Sequence, residues 1–151
     1  MNPTHIHLLI THLPIYGSIL GAVVLCFGML SRSRSTCNAA YLILLIAAIG
    51  GVVAFLTGEP AEETVENISG ISKNLIEEHE ESANLTLILI SIMGLLSCTA
   101  LFISWKSAKF IKSLPIIVLI ISIACFGAAA RTGYLGGKIR HTEVDNQLKH
   151  I

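Results

Sequence analysis

The segment ANLTLILISIMGLLSCTALFISW, residues 83–105, holds no charged residue and no proline, and is bounded by Glu81 on one side and Lys106 on the other. An α-helix needs about 20 apolar residues to cross a hydrocarbon layer of about 30 Å, so this run is of spanning length. Its apolar side chains recur at consecutive positions (Leu85, Leu87, Ile88, Leu89, Ile90) and so surround the helix, as expected where lipid is the solvent. Reading outward from it, three further runs of similar character fall at about 13–31, 40–57 and 114–131. Lipid leaves backbone polar groups no partner but the chain itself, and four short-looped helices meet that demand as an antiparallel bundle. The expectation is one all-α domain over residues 1–151, an integral membrane antiparallel four-helix bundle.

Composition agrees. Hydrophobic residues make up 53% of the chain and charged residues 13%, with mean hydropathy +0.73, beyond the range of soluble domains. Formal net charge is zero, so no overall field recruits nucleic acid. Cys26, Cys37, Cys98 and Cys125 lie in or beside apolar runs without a CxxC or CxxCH spacing, and read as packing residues rather than a disulfide framework. Residues 1–12 contain no Lys or Arg, so a cleavable signal peptide is not expected and the first span is read as part of the working protein.

Charge is informative by location. The first connection carries Arg32 and Arg34 and the third Lys106, Lys109 and Lys112, all without acids; the central connection carries Glu59, Glu62, Glu63, Glu66, Glu77, Glu78, Glu80 and Glu81 against Lys73. By the positive-inside rule, connections one and three face the cytoplasm of a bacterial inner membrane, with both termini and the central connection periplasmic. Asn2 and Pro3 suit the start of a helix that kinks at Pro14, and Ser72 suits the cap of a helix running through KNLIEEHEESAN into the third span. The first and third helices are therefore expected to project on the periplasmic side, joined to the second by a turn at ENISGIS.

This topology collects His5, His7, His12, His79 and His141 at or near one face. Ionisable groups close to a membrane interior are site candidates by default, which singles out His12 and His79; His5 and His150 read as solvated. If the first and third helices are diagonal, their histidines approach a flat cofactor from opposite sides, the geometry of a bis-histidine haem b. His12 and His79 are the expected ligands of the haem iron, with His7 and His141 in reserve. Arg131 is a candidate partner for a propionate, or else reaches lipid phosphate. Glu63 and Glu80 are candidates to receive the second ring N–H of a ligand histidine. Small residues near the same depth (Gly17, Gly21, Gly50, Gly51, Ala54, Gly58, Gly127, Gly133) supply room for a cofactor or, equally, close helix packing.

Two other readings compete: a cofactor-free accessory or assembly subunit, and a periplasm-facing His/Glu site for copper, iron or zinc. No nucleophile elbow, P-loop, HExxH or dinucleotide fingerprint points to catalysis, so electron transfer or an accessory role is expected instead.

The segments HIHLLITHLPIYGSILG, TGEPAEE, EEHEESA and TGYLGGKIRHTE together resemble a widespread group of uncharacterised four-span bacterial membrane proteins, nearly end to end. The resemblance matches His7, His12 and Pro14, then Thr57, Gly58, Glu62 and Glu63, then His79, and last Gly136, Gly137 and His141. This chain has Leu8 after His7 where some of those proteins have proline. Such proteins are often associated with cytochrome c-like modules. The resemblance thus implies redox chemistry, with cytochrome c-like or other membrane redox subunits as partners beside the lipid bilayer.

Overall fold

The computed structural model describes residues 3–66, 73–106 and 113–149, with side chains at 7–58, 73–106 and 113–139. These residues form five helices: α1 (Pro3–Ile10), α2 (His12–Leu30), α3 (Arg34–Glu66), α4 (Lys73–Lys106) and α5 (Ser113–Lys149). No strand occurs among the described residues, and four helical segments are long and apolar enough to cross a membrane. The all-α reading holds. ENISGIS beyond Glu66, the connection after Lys106, the proposed caps Asn2 and Ser72, and His150 lie outside the described residues.

The α1/α2 interruption follows from Pro14. A helical residue at 14 would donate its N–H to the carbonyl of Ile10, but proline has none and its ring crowds that carbonyl. The regular hydrogen bonding is interrupted at Thr11 alone; Thr11 itself stays helical, at φ −60° and ψ −24°, and its N–H reaches the His7 carbonyl at 3.0 Å. At the other end of α2 the chain reverses in three residues. Ser33 N–H donates to Gly28 O at 2.9 Å and Arg32 N–H to Met29 O at 3.2 Å, with Arg32 left-handed at φ 53°, which together make a Schellman stop. Ser33 then caps α3, its Oγ accepting from Thr36 N–H at 3.2 Å.

Close contacts give the arrangement. A Cβ on Gly17 would lie 2.6 Å from Ala47 Cβ and one on Gly28 2.9 Å from the Cys37 backbone nitrogen, so α2 and α3 run antiparallel in near backbone contact. Gly94 meets Ala48 across α3 and α4, and Arg34 Nε donates to Ser104 Oγ at 2.9 Å. Helix α5 packs on both α4 and α2, closing a square in which α2 and α4 are diagonal. Leu25, Leu44, Ile90, Met93, Val118 and Cys125 fill the centre. Gly17, Gly21, Gly50, Gly51 and Gly94 are filled against by neighbouring helices, so they serve close packing rather than a cofactor space.

The outward faces carry a girdle of exposed apolar residues, including Leu20, Val23, Phe27, Ile46, Ile49, Ile88, Leu95, Ile120 and Ile123. Trp105 marks one edge of it, and Tyr16 and Tyr134 the other, as aromatic residues do at membrane interfaces. At 34 residues, α4 is about 51 Å long, well beyond what the hydrocarbon requires. The excess is its polar entry, Lys73–Ser82. The other helices also overrun their expected spans at this end: α3 continues to Glu66 and α5 to Lys149, where the sequence suggests ends near 57 and 131.

Candidate functional site: two anchored histidines at one end of the bundle

His7 and His79 lie at the end of the bundle marked by Tyr16 and Tyr134, on the diagonal elements α1 and α4. His7 is half-buried against α3, its Nδ1 2.8 Å from the Ala54 carbonyl oxygen. His79 is half-buried against α5, its Nδ1 3.1 Å from the Thr132 carbonyl oxygen. A carbonyl oxygen can only accept, so in each ring Nδ1 carries the proton and donates it. A ring held this way presents, in its uncharged form, a bare lone pair at Nε2, the form that binds a metal.

The two anchors share a pattern. Gly58 stands four residues after Ala54, and a Cβ there would be 3.4 Å from His7 Cε1; Gly136 stands four residues after Thr132, and a Cβ there would be 3.1 Å from His79 Cε1. One helical turn beyond each acceptor, glycine leaves room for the ring edge. A Cβ on Gly137, itself half-buried, would meet no atom within 4 Å, so open space adjoins the His79 anchor.

The supports differ. Thr57 Oγ1 lies 3.5 Å from His7 Nδ1 and hydrogen-bonds its own helix at Val53 O and Ala54 O. On the His79 side, the Thr132 hydroxyl donates to Ala128 O at 3.1 Å and lies 2.8 Å from Ser82 Oγ and 3.0 Å from Thr86 Oγ1. Ser82 and Thr86 are buried. The polar entry of α4 places His79 outside the 83–105 crossing segment. There burial pushes its imidazole pKa below the ordinary value of 6.5, the Thr132 hydrogen bond opposes this, and a nearby charge on His7 lowers it further. The two imidazoles are thus electrostatic neighbours.

The remaining expected residues fall elsewhere. His12, which the sequence reading pairs with His79, is exposed on α2 with its ring centroid 6.1 Å from that of Tyr16. His7, by contrast, is close enough to His79 to act on it electrostatically. Five helical residues turn the chain through about 500°, so His7 and His12 point some 140° apart. The buried stripe of α2 (Pro14, Gly17, Ser18, Gly21, Leu25, Gly28) continues the phase of His7 rather than His12. That phase is the signal in the sequence that selects His7. Ser82, Thr86 and Thr132, which the sequence reading passed over, fall on the corresponding stripes of α4 and α5.

Arg131 and Glu80 are exposed, and the acceptors facing both Nδ1 atoms are backbone carbonyls rather than carboxylates. His141 lies within α5 instead of beyond it, and Glu63 within α3; the side chains of both are outside the described residues. No group of three or more His, Cys, Asp or Glu suited to a metal ion occurs among the described residues. A haem held by two axial histidines requires no such group.

Fold, girdle and paired anchors define a four-helix membrane protein with a two-histidine site at one end. The chain belongs to the family described as predicted membrane protein (DUF2231), whose model matches residues 3–144. No curated protein and no solved structure matches it.

Proposed function

We propose that this chain is a b-type cytochrome-like electron-transfer subunit of the bacterial cytoplasmic membrane, holding haem b near the periplasmic face between His7 and His79. The observation that carries the reading is a pair of contacts: two half-buried imidazoles on diagonal elements each set Nδ1 within hydrogen-bond distance of a carbonyl, an arrangement that leaves Nε2 of both for iron. The donor set fits the group, since two neutral imidazoles are sufficient axial ligands and the outer hydrogen bond fixes each ring and raises its basicity. When bound, the haem supplies one-electron chemistry, and the protein sets its potential through ligation, burial and nearby charge. Gly58 and Gly136 keep the ring edges clear, and the space beside Gly137 gives room on the α5 side.

The periplasmic assignment rests on Arg32, Arg34 and Lys106 at the opposite end, on Lys109 and Lys112 in the sequence after Lys106, and on the acidic central connection. A site there is within reach of a soluble or membrane-attached cytochrome c-like partner. Arg131 and His141 are available at the same end for a propionate or for a second ligand.

The test is the visible spectrum of the detergent-purified protein, as isolated and after addition of haemin. The expected result is a Soret band with sharp α and β bands on dithionite reduction, lost in the His7→Ala, His79→Ala double variant. Wild-type absorbance in that variant would sink the ligand assignment. A colourless protein with stoichiometric copper, iron or zinc would favour the metal-ion reading, and one with neither cofactor but a co-purifying membrane partner the accessory-subunit reading.

A further inference from the structure

A serine or threonine hydroxyl inside a helix commonly donates to a carbonyl one turn back on the same helix. Thr132 does so, giving its proton to Ala128 O at 3.1 Å. Its oxygen keeps two lone pairs, and two hydroxyls of α4 face it, Ser82 Oγ at 2.8 Å and Thr86 Oγ1 at 3.0 Å. Thr86 has a second acceptor in its own helix, Ser82 O at 2.8 Å. The Ser82 hydroxyl has Thr132 as its one acceptor among the described residues, and Ser82 is buried, so loss of Thr132 Oγ1 would leave a buried donor unpaired. His79, Ser82 and Thr86 stand at i, i+3 and i+7, on one face of α4. Thr132 meets that face twice, with its hydroxyl at Ser82 and Thr86 and with its carbonyl at His79 Nδ1, 3.1 Å away. The hydroxyl bonds therefore fix where the carbonyl lies relative to the ring. At His7 the neighbouring hydroxyl, Thr57 Oγ1, bonds within its own helix at Val53 O and Ala54 O and lies 3.5 Å from the ring, and no hydroxyl of another helix holds the Ala54 carbonyl among the described residues.

We propose that Thr132 is a positioning residue for His79. Through its hydroxyl, clasped by Ser82 and Thr86, it holds its own carbonyl against Nδ1. The uncharged ring of His79 then keeps its proton on Nδ1, and Nε2 is the nitrogen left to take a ligand. The hold on the ring belongs to the protein without cofactor; that the ligand is iron rests on the haem reading above. Thr132→Val keeps the shape of the side chain and the carbonyl, but it removes the acceptor of Ser82 and loosens α4 against α5 at the level of the ring. The two tautomers of His79 then come closer in energy.

The test is nitrogen-15 NMR of the histidine rings in the haem-free full chain in detergent at alkaline pH, with the two rings assigned through His79→Gln and His7→Gln. The wild type is expected to show His79 protonated at Nδ1 and bare at Nε2. Thr132→Val is expected to move His79 toward a mixture of the two tautomers, and Thr132→Ser to restore the wild-type pattern. Thr57→Val is expected to leave the His7 pattern unchanged. Should Thr132→Val fail to fold, Ser82→Ala removes one clasping hydroxyl with Thr132 in place and is expected to shift His79 in the same direction. A threonine with a purely structural role would change the thermal midpoint and leave the His79 tautomer as it is. That result in a folded variant, or a serine that does not restore the pattern, would overturn the inference. On addition of haemin, Thr132→Val is expected to weaken uptake by about tenfold, the low end of the loss seen when an outer partner of a ligand histidine is removed. A protein that shows the tautomer shifts yet takes up no haem would support the inference and overturn the haem reading.

Discussion

At the scale of single residues, what matters is the direction in which a ring faces. Ranking the six histidines by distance from the apolar runs puts His12 ahead of His7; helical phase reverses the two, because His7 shares the stripe of Pro14 and Gly17 while His12 shares that of Tyr16. Proximity to the apolar run favours His12, and phase overrides it. What no spacing reveals is that a carbonyl on the neighbouring helix receives each Nδ1 proton, since carbonyls leave no mark in the sequence. The lowered His79 pKa has a consequence for stability. In the window from 6.5 down to its folded value the unfolded chain binds the proton more readily than the folded one, so stability rises with pH up to about 6.5 and is flat above. The thermal midpoint of the haem-free protein in detergent should therefore fall on acidification below pH 6.5, and His79→Gln should flatten that part of the profile; an unchanged profile would contradict the assignment. Gly136→Ala sets a Cβ 3.1 Å from His79 Cε1, so the ring must shift. The expected outcome is weakened haem retention with the helical circular dichroism unchanged, whereas Gly127→Ala, where a Cβ meets nothing within 4 Å, should behave as wild type.

Elements were legible where lipid dictates them and less so where it does not. Each of the four apolar runs falls on one of the long helices α2 to α5, because charge cannot enter hydrocarbon at low cost. Beyond the hydrocarbon that constraint ends: α3 passes through Pro60 to Glu66 and α5 reaches Lys149, although TGEP and TGYLGG read as helix exits. A proline costs one internal hydrogen bond and glycines cost entropy, and flanking turns can sustain a helix past both. The connection of α2 to α3 shows the opposite economy, with the turn confined to Ser31–Ser33. Arg32 occupies a left-handed position there that glycine adopts without strain, so Arg32→Gly is expected to stabilise the fold by about 1 kcal/mol. Ser33→Ala, which removes the cap on Thr36 N–H, should destabilise it by about 1 kcal/mol. Both are measurable as shifts in thermal midpoint. Pro14→Ala restores the missing N–H, and the expected result is a continuous α1–α2 helix in which residues 4–10 exchange their amides more slowly.

At the scale of the whole molecule, small residues set how closely the helices approach and charge sets which way the bundle is inserted. Gly17 and Gly28 bring α2 within backbone contact of α3, and van der Waals packing of this kind is the main attraction between helices in lipid. Gly17→Val should therefore separate the pair and lower stability by about 1–3 kcal/mol, as overpacking does. The proposed insertion rests on the basic connections: by the positive-inside rule, cations at the Arg32 end would leave the histidine end facing out. Two positions report on this without touching the site. Asn74 and Ser113 are exposed at opposite ends of the bundle, on the first turns of α4 and α5. In a background where the four native cysteines are replaced by serine or alanine, Asn74→Cys is expected to react with a membrane-impermeant maleimide in intact spheroplasts, and Ser113→Cys only after the membrane is opened. The reverse pattern would place His7 and His79 on the cytoplasmic side, where a periplasmic electron donor cannot reach them. The proposed ligation by the two histidines would survive that result, because it rests on their hydrogen-bonded rings; the proposed periplasmic partner would not, because it rests on the direction of insertion alone.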